Sequence, residues 1–365
     1  MFILFVVNIF VCVAVTGQRR TSYGPRRMSL QSAAVGPGCA LADYRDCCPY
    51  NITTSNDLDL IPRNLTAVYL VFSADHRVVF ERGTLPEDLG GGARLRRLLM
   101  SVTYVRRGRL PPGVFVNLAR LRSLQLYHDA PSSVYFSLRL SDGTFEGLSE
   151  LVELVLARLG IENLPAGVFR GLRSICRLDL SQNRLAVVGS HVFRPPSVSA
   201  PGDWTENGCC RNLTTLLLGK NRFVNVADIR LSGLSSLRNV DLHKNAITGV
   251  RRDSLGARWN STLGGFANVV HLNLGLNVID RIEDGAFEGL VRLRVFYLDR
   301  NRISNVTAST FAGLAVLQTL DLDGNSISQL RSSVFAPLTS LRSLLVAENA
   351  MQVVETGRHV LQNTL

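Results

Sequence analysis

Six cysteines follow the apolar start of the chain: Cys39, Cys47, Cys48, Cys176, Cys209 and Cys210. An even number of thiols in an exported protein suggests disulfides. None falls into a C-x-x-C pair, the usual zinc-binding spacing, so no metal is expected. Cys39 can close a short loop with Cys47 or Cys48, and the sequence leaves both pairings open. Five N-x-S/T sequons offer glycan attachment, at Asn51, Asn64, Asn212, Asn260 and Asn305. No Ser/His/Asp cluster, Gly-rich phosphate loop or carboxylate pair stands at a spacing suited to catalysis. The chemistry expected is noncovalent binding, with no cofactor and no enzymatic step.

Export is read from residues 1–17. Phe2 to Val15 is almost wholly apolar, and Val15-Thr16-Gly17 supplies small residues for cleavage. The run is short of the roughly 20 apolar residues that span a bilayer, so it reads as a signal peptide. An uncleaved anchor is the alternative, since no Lys or Arg precedes the run. No other segment is apolar enough for a membrane span, and the localisation expected is secreted or extracellular. Residues 18–38 are rich in Arg, Ser and Gly and read as a flexible leader. Hydrophobic residues are 46% and charged residues 19%, which supports a packed core and excludes a disordered chain. The net charge is +11, and among 40 basic residues only Lys220 and Lys244 are lysine. That balance permits anionic partners without identifying one.

What positions these groups is a repeat. Ile175, Leu178, Leu180, Asn183 and Leu185 recur as Leu213, Leu216, Leu218, Asn221 and Phe223, then as Leu237, Val240, Leu242, Asn245 and Ile247. The frame continues from Val269, Leu293, Leu317 and Leu341, mostly at steps of 24 residues. The spacing L-x-x-L-x-L-x-x-N-x-L at this period is the leucine-rich repeat signature. The fold class expected is α/β: a leucine-rich repeat solenoid, or horseshoe, with a concave parallel β-sheet and an irregular or short-helical convex face. Residues 39–66 form the cysteine-containing N-terminal cap, 67–354 the repeats and 355–365 a C-terminal tail. Asn183, Asn221, Asn245, Asn277, Asn301, Asn325 and Asn349 share the ninth position of their coils. A buried amide needs partners, so these are expected to bond backbone groups in their own and neighbouring coils. The first three coils carry Thr103, Asp129 and Leu159 there instead and are expected to be less regular. A second ladder, Phe169, Phe193, Phe287, Phe311 and Phe335, falls on the return stretch and is expected to fill the core.

Residues between the strand leucines point out from the sheet. They include Asp179, Asp241, His271 and Tyr297, the candidate ligand contacts on this face. His243 and His271 could sense acid, although solvated rim histidines are the plainer reading. Three insertions break the period: Ala130 to Ser137, Pro195 to Arg211 and Arg258 to Gly265. Extra residues in a repeat become loops, often on a binding face. They add Tyr135, Phe136 and Trp204 to the candidate contacts. Cys176 lies one coil before Cys209 and Cys210, and neighbouring strands are about 5 Å apart. A bridge from Cys176 to either is therefore in reach, with a buried free thiol as the alternative.

The exported start, cysteine cap, F-x-x-L repeats, sequons and irregular coils together resemble a Toll-like receptor ectodomain over about residues 39–354. The stretch Leu293-Arg294-Val295-Phe296-Tyr297-Leu298-Asp299-Arg300-Asn301 is similar to an ordinary coil of that family. The resemblance implies a receptor of innate immunity that takes a microbial or endogenous protein, lipid or nucleic-acid ligand and forms a receptor dimer. A cysteine-rich C-terminal cap, membrane helix and TIR domain, which the family carries, do not follow Val354 in this sequence. Truncation of a longer receptor and a natural soluble form are the two expectations. The rival is a secreted adhesion or matrix leucine-rich repeat protein. Those usually carry four spaced cysteines in the cap, whereas this cap has Cys39, Cys47 and Cys48.

Overall fold

Short apolar triplets flanked by polar residues form strands too brief to be stable alone, so each depends on its neighbours. The computed structural model describes residue 85 and residues 95–102, 108–128, 136–193, 209–231, 233–252 and 265–352. It also gives the backbone of strands at 9–12, 49–52, 67–72 and 353–354. In chain order the strands are β1 (Ile9–Cys12), β2 (Pro49–Ile52), β3 (Ala67–Phe72), β4 (Arg97–Ser101), β5 (Ser123–Tyr127) and β6 (Glu153–Val155). There follow β7 (Arg177–Asp179), β8 (Thr215–Leu217), β9 (Asn239–Asp241), β10 (Gly249–Val250), β11 (His271–Asn273) and β12 (Arg281–Ile282). The last are β13 (Val295–Tyr297), β14 (Thr319–Asp321), β15 (Gln329–Leu330), β16 (Ser343–Leu345) and β17 (Val353–Val354).

One 13-stranded sheet runs in the order β16-β14-β13-β11-β9-β8-β7-β6-β5-β4-β3-β1-β2. From β3 to β16 every pairing is parallel. Register never slips: Leu178 stands beside Leu154 and Leu216, and Leu320 beside Phe296 and Leu344. The regularity reaches into the early coils, where β4 and β5 pair over five residues each. Thr103 and Asp129 lie outside the described residues, while Leu159 is buried in place. β1 lies antiparallel between β2 and β3. It falls inside the segment read as a signal peptide, so removal of that segment takes this strand with it.

The core is continuous from coil to coil. Each strand sends its central apolar residue inward, and Leu154, Leu178, Leu216, Leu272 and Leu320 are almost completely buried. Opposite them the phenylalanines stack: Phe115 on Phe145 at 5.9 Å, Phe145 on Phe169 at 6.1 Å and Phe169 on Phe193 at 5.6 Å. Phe311 and Phe335 repeat the contact at 6.5 Å. Burying one such ring contributes on the order of 2–3 kcal/mol. The convex side is built from turns, with 3-10 segments at Val226–Asp228, Ala308–Phe311 and Ser332–Phe335. Among the described residues it holds no α-helix. A coil of 24 residues leaves little chain for the return stretch, and F-x-x-L buries both of its apolar residues within a single turn.

The asparagine ladder locks coil to coil. Asn183 Oδ1 accepts the amides of Leu159 and Ile161 at 3.1 and 3.0 Å, and its Nδ2 donates to the carbonyls of Leu156 and Leu180. Asn277 accepts from the amides of Asn245 and Ile247 and donates to Leu242 and Leu274. All four hydrogen-bonding capacities of the amide are used, which is how a polar side chain is tolerated at this depth.

Candidate ligand-binding face

Strand register sorts the outward side chains into columns. One column reads Val155, Asp179, Leu217, Asp241, Asn273, Tyr297, Asp321 and Leu345. The neighbouring column reads Glu153, Arg177, Thr215, Asn239, His271, Val295, Thr319 and Ser343. Asp179, Asp241 and Tyr297 thus share one line, and His271 stands beside it. Four of the seven residues expected to contact ligand lie together on the sheet face.

Their environments differ. His271 is exposed, and its Nδ1 lies 2.8 Å from Asn239 Oδ1; Asn239 Nδ2 donates in turn to Thr215 Oγ1. This chain crosses three coils and holds the imidazole upright on the face. Asp241 is half-buried and accepts from the backbone N–H of His243 at 2.9 Å, with His243 Nδ1 2.8 Å from the same oxygen. Gly219 makes room for this pair, since a Cβ there would land on the His243 ring. Asp179 accepts the amide of Ser181, and Tyr297 is 37% exposed.

The face carries more negative charge than the sequence reading picked out. Asp299 and Asp323 stand beside Asp321, and burial together with those two carboxylates holds the Asp321 carboxyl above its usual range, against the lowering effect of the Asp323 amide. Arg177 is tied to Glu153 at 3.3 Å, so the arginine on this face is neutralised. Among the described residues no group of three or more His, Cys, Asp or Glu is placed to hold a metal ion, and no helix is long and apolar enough to cross a membrane.

Of the remaining expected contacts only Phe136 is described, and it does not join this face. Phe136 packs against the core, its ring 4.1 Å from that of His128. Tyr135 and Trp204 lie outside the described residues, as do Cys39, Cys47, Cys48, Asn64 and Asn260 and the leader and tail. Asn51 is seen only as backbone in β2, while Asn212 and Asn305 are exposed.

The bridge expected from Cys176 to Cys209 or Cys210 is not formed in the structure, which holds all three as free thiols. The cause is where each side chain points. Cys176 Sγ donates to its own Ser174 carbonyl, and Cys209 Sγ to the Phe193 carbonyl. Cys210 takes the place of the core leucine three residues before Leu213, as Leu234 does before Leu237, and burial pushes its thiol well up.

Comparison with known proteins follows the same lines. The leucine-rich repeat family model matches residues 137–185, 260–303 and 291–351. Toll-like receptor 9 of Equus caballus is 28% identical over 255 residues, 68% of this chain and 21% of that protein. Podocan-like protein 1 of Homo sapiens is 26% identical over 284 residues, 73% of this chain and 48% of that protein. The chain thus spans less than half the length of either relative. The crystal structure of a TLR13–ssRNA13 complex superposes with a TM-score of 0.53 at 19% identity, over 74% of this chain and 42% of that one. The Toll–Spatzle complex of Drosophila, in its glycosylated form, gives 0.51 at 21%, over 74% and 36%. Repeat spacing, asparagine ladder and these likenesses agree: the chain is a leucine-rich repeat solenoid built like a Toll-like receptor ectodomain.

Proposed function

We propose that the chain is an extracellular receptor of innate immunity, the ectodomain or a soluble form of a Toll-like pattern-recognition receptor. It binds a microbial or endogenous ligand noncovalently and performs no catalysis. The observation that carries this is the column of Asp179, Asp241 and Tyr297 with His271 beside it: polar and aromatic groups held in register on a rigid face. The neighbours' ligands give the range of partners, since Toll is solved with Spatzle, a protein by its place in that complex, and TLR13 with single-stranded RNA. A receptor dimer belongs to the same reading. Secretion, cleavage near residue 17 and glycosylation at exposed Asn212 and Asn305 accompany it.

A second reading is an adhesion or matrix protein, favoured by the podocan likenesses. One experiment separates the two. The protein recovered from secreting cells is tested against flagellin, lipopeptide, single-stranded nucleic acid and a set of matrix proteins. The receptor reading expects one microbial class to bind. Failure of all of them, with tight binding to a matrix protein, contradicts it.

A further inference from the structure

The eighth position of each coil stands at the rim where the strand turns away from the sheet. Its backbone is left-handed at Arg158, Gln182, Lys220, Lys244, Leu276 and Arg300, with φ between 51° and 62°. Each of these amides donates to a carbonyl of the next coil, as Lys220 does to His243 at 2.8 Å and Lys244 to Gly275 at 2.9 Å. The rim is therefore a rigid row with one side chain per coil, each step about 5 Å.

From β6 to β13 the charges on this row are all of one sign; the acidic Glu348 takes the same left-handed place only in the last coil. Both lysines of the chain, Lys220 and Lys244, occupy successive rungs, β8 and β9. Arg222 is exposed two residues after Lys220, and Arg158, Arg300 and Arg302 extend the row in both directions. No acidic residue holds the eighth or tenth position of any coil from β6 to β13. Among the described residues Lys220, Arg222 and Lys244 enter no ion pair; Asp241, the acid nearest in sequence to Lys244, is engaged with His243, and Asp228, the nearest to Lys220 and Arg222, accepts from Asn225. Like charges stacked one rung apart repel, and the fold holds them there without a counter-charge.

We infer that this row is a second binding site, separate from the sheet face, for a linear sulfated polysaccharide. An extended polyanion lying across six coils meets an eighth-position cation on four of them over about 25 Å; Arg184, at the tenth position of a fifth, is tied to Glu162 at 3.3 Å. Nucleic acid fits less well. Single strands are held by aromatic platforms as well as charge, and no aromatic side chain occupies the eighth or tenth position from Arg158 to Arg302. Duplexes are read by a helix or ribbon that enters a groove, and the rim projects neither. What remains is recognition by charge spacing alone, which suits a sulfated chain.

The test uses the secreted protein and heparin as the probe, with affinity measured across a range of salt. Two triple variants are compared: Lys220→Gln with Arg222→Gln and Lys244→Gln, and, on the opposite rim, Arg120→Gln with Arg122→Gln and Arg294→Gln. The first is expected to lose at least tenfold in affinity near physiological salt and to flatten the log–log salt slope by about three, one per lost contact. The second changes affinity less than threefold. Lys220→Arg with Lys244→Arg, which keeps the charge, binds as the parent does. No binding by the parent, equal losses in both triples, or tighter binding of a single-stranded oligonucleotide through the same three residues each overturns the proposal.

Discussion

Asn301 Oδ1 accepts the backbone amide of Ile279 at 3.0 Å, and the same side chain donates to the carbonyls of Leu274 and Leu298. One amide therefore ties its coil to the preceding one at two points and holds its own turn at a third. Asn301→Ala leaves those backbone groups unpaired in a dry interior. A loss of about 2–4 kcal/mol is expected, above the cost of a single orphaned group. Chemical denaturation measures it. Asn349→Ala, in the last described coil and half-exposed, should cost less.

The phenylalanine stack makes a second prediction. Phe169 touches Phe145 on one side and Phe193 on the other and is wholly buried. Phe169→Ala should destabilise by about 3–5 kcal/mol, and Phe169→Leu by well under half of that. Equal effects would mean that the stack fills no continuous core.

Asp321 sets a pH dependence. Its folded-state pKa is raised, so the folded chain holds this proton more tightly than the unfolded chain does. The ionised carboxylate therefore costs stability, and that cost grows as pH rises from below the unfolded pKa through the folded one. Asp321→Asn should stabilise the protein at pH 7, by no more than about 1 kcal/mol because the site is partly solvated. The advantage should vanish near pH 3. Melting curves at the two pH values check both the sign and its disappearance.

The thiols separate by burial. Cys176 is half-exposed, whereas Cys210 is buried and its thiol is pushed up, so its reactive thiolate is scarce. Alkylation of the native protein should modify Cys176 first and leave Cys210 untouched until unfolding. Peptide mapping without reductant would expose any bridge among Cys176, Cys209 and Cys210.

The strands were legible because L-x-L fixes both the inward face and the register, and the asparagine ladder because each asparagine keeps the ninth place of its coil however long the coil before it runs. Phe115 and Phe145 escaped a count forward from each strand, since the early coils are longer. Counting back succeeds: each lies six residues before the next strand's first leucine, Leu121 or Leu151, as Phe169 does before Ile175. Asp179, Asp241 and Tyr297 could be placed on one face from alternation alone. The contact between His271 and Asn239 could not, because it joins residues 32 apart across an insertion. The grouping of Asp299 with Asp321 and Asp323 was hidden for the same kind of reason, since it needs two coils laid side by side. Thiol direction leaves no mark in spacing at all, which is why Cys176 looked bridgeable.

The central claim is that ligand is gripped by the sheet face. The direct measurement takes the ligand found by the binding panel and compares two double variants. Asp241→Ala with Tyr297→Ala alters the face; Val291→Ser with Val316→Ser alters exposed residues away from it. The account predicts at least a tenfold loss of affinity for the first and an unchanged value for the second. Unchanged affinity in the first, or loss confined to the second, would contradict it.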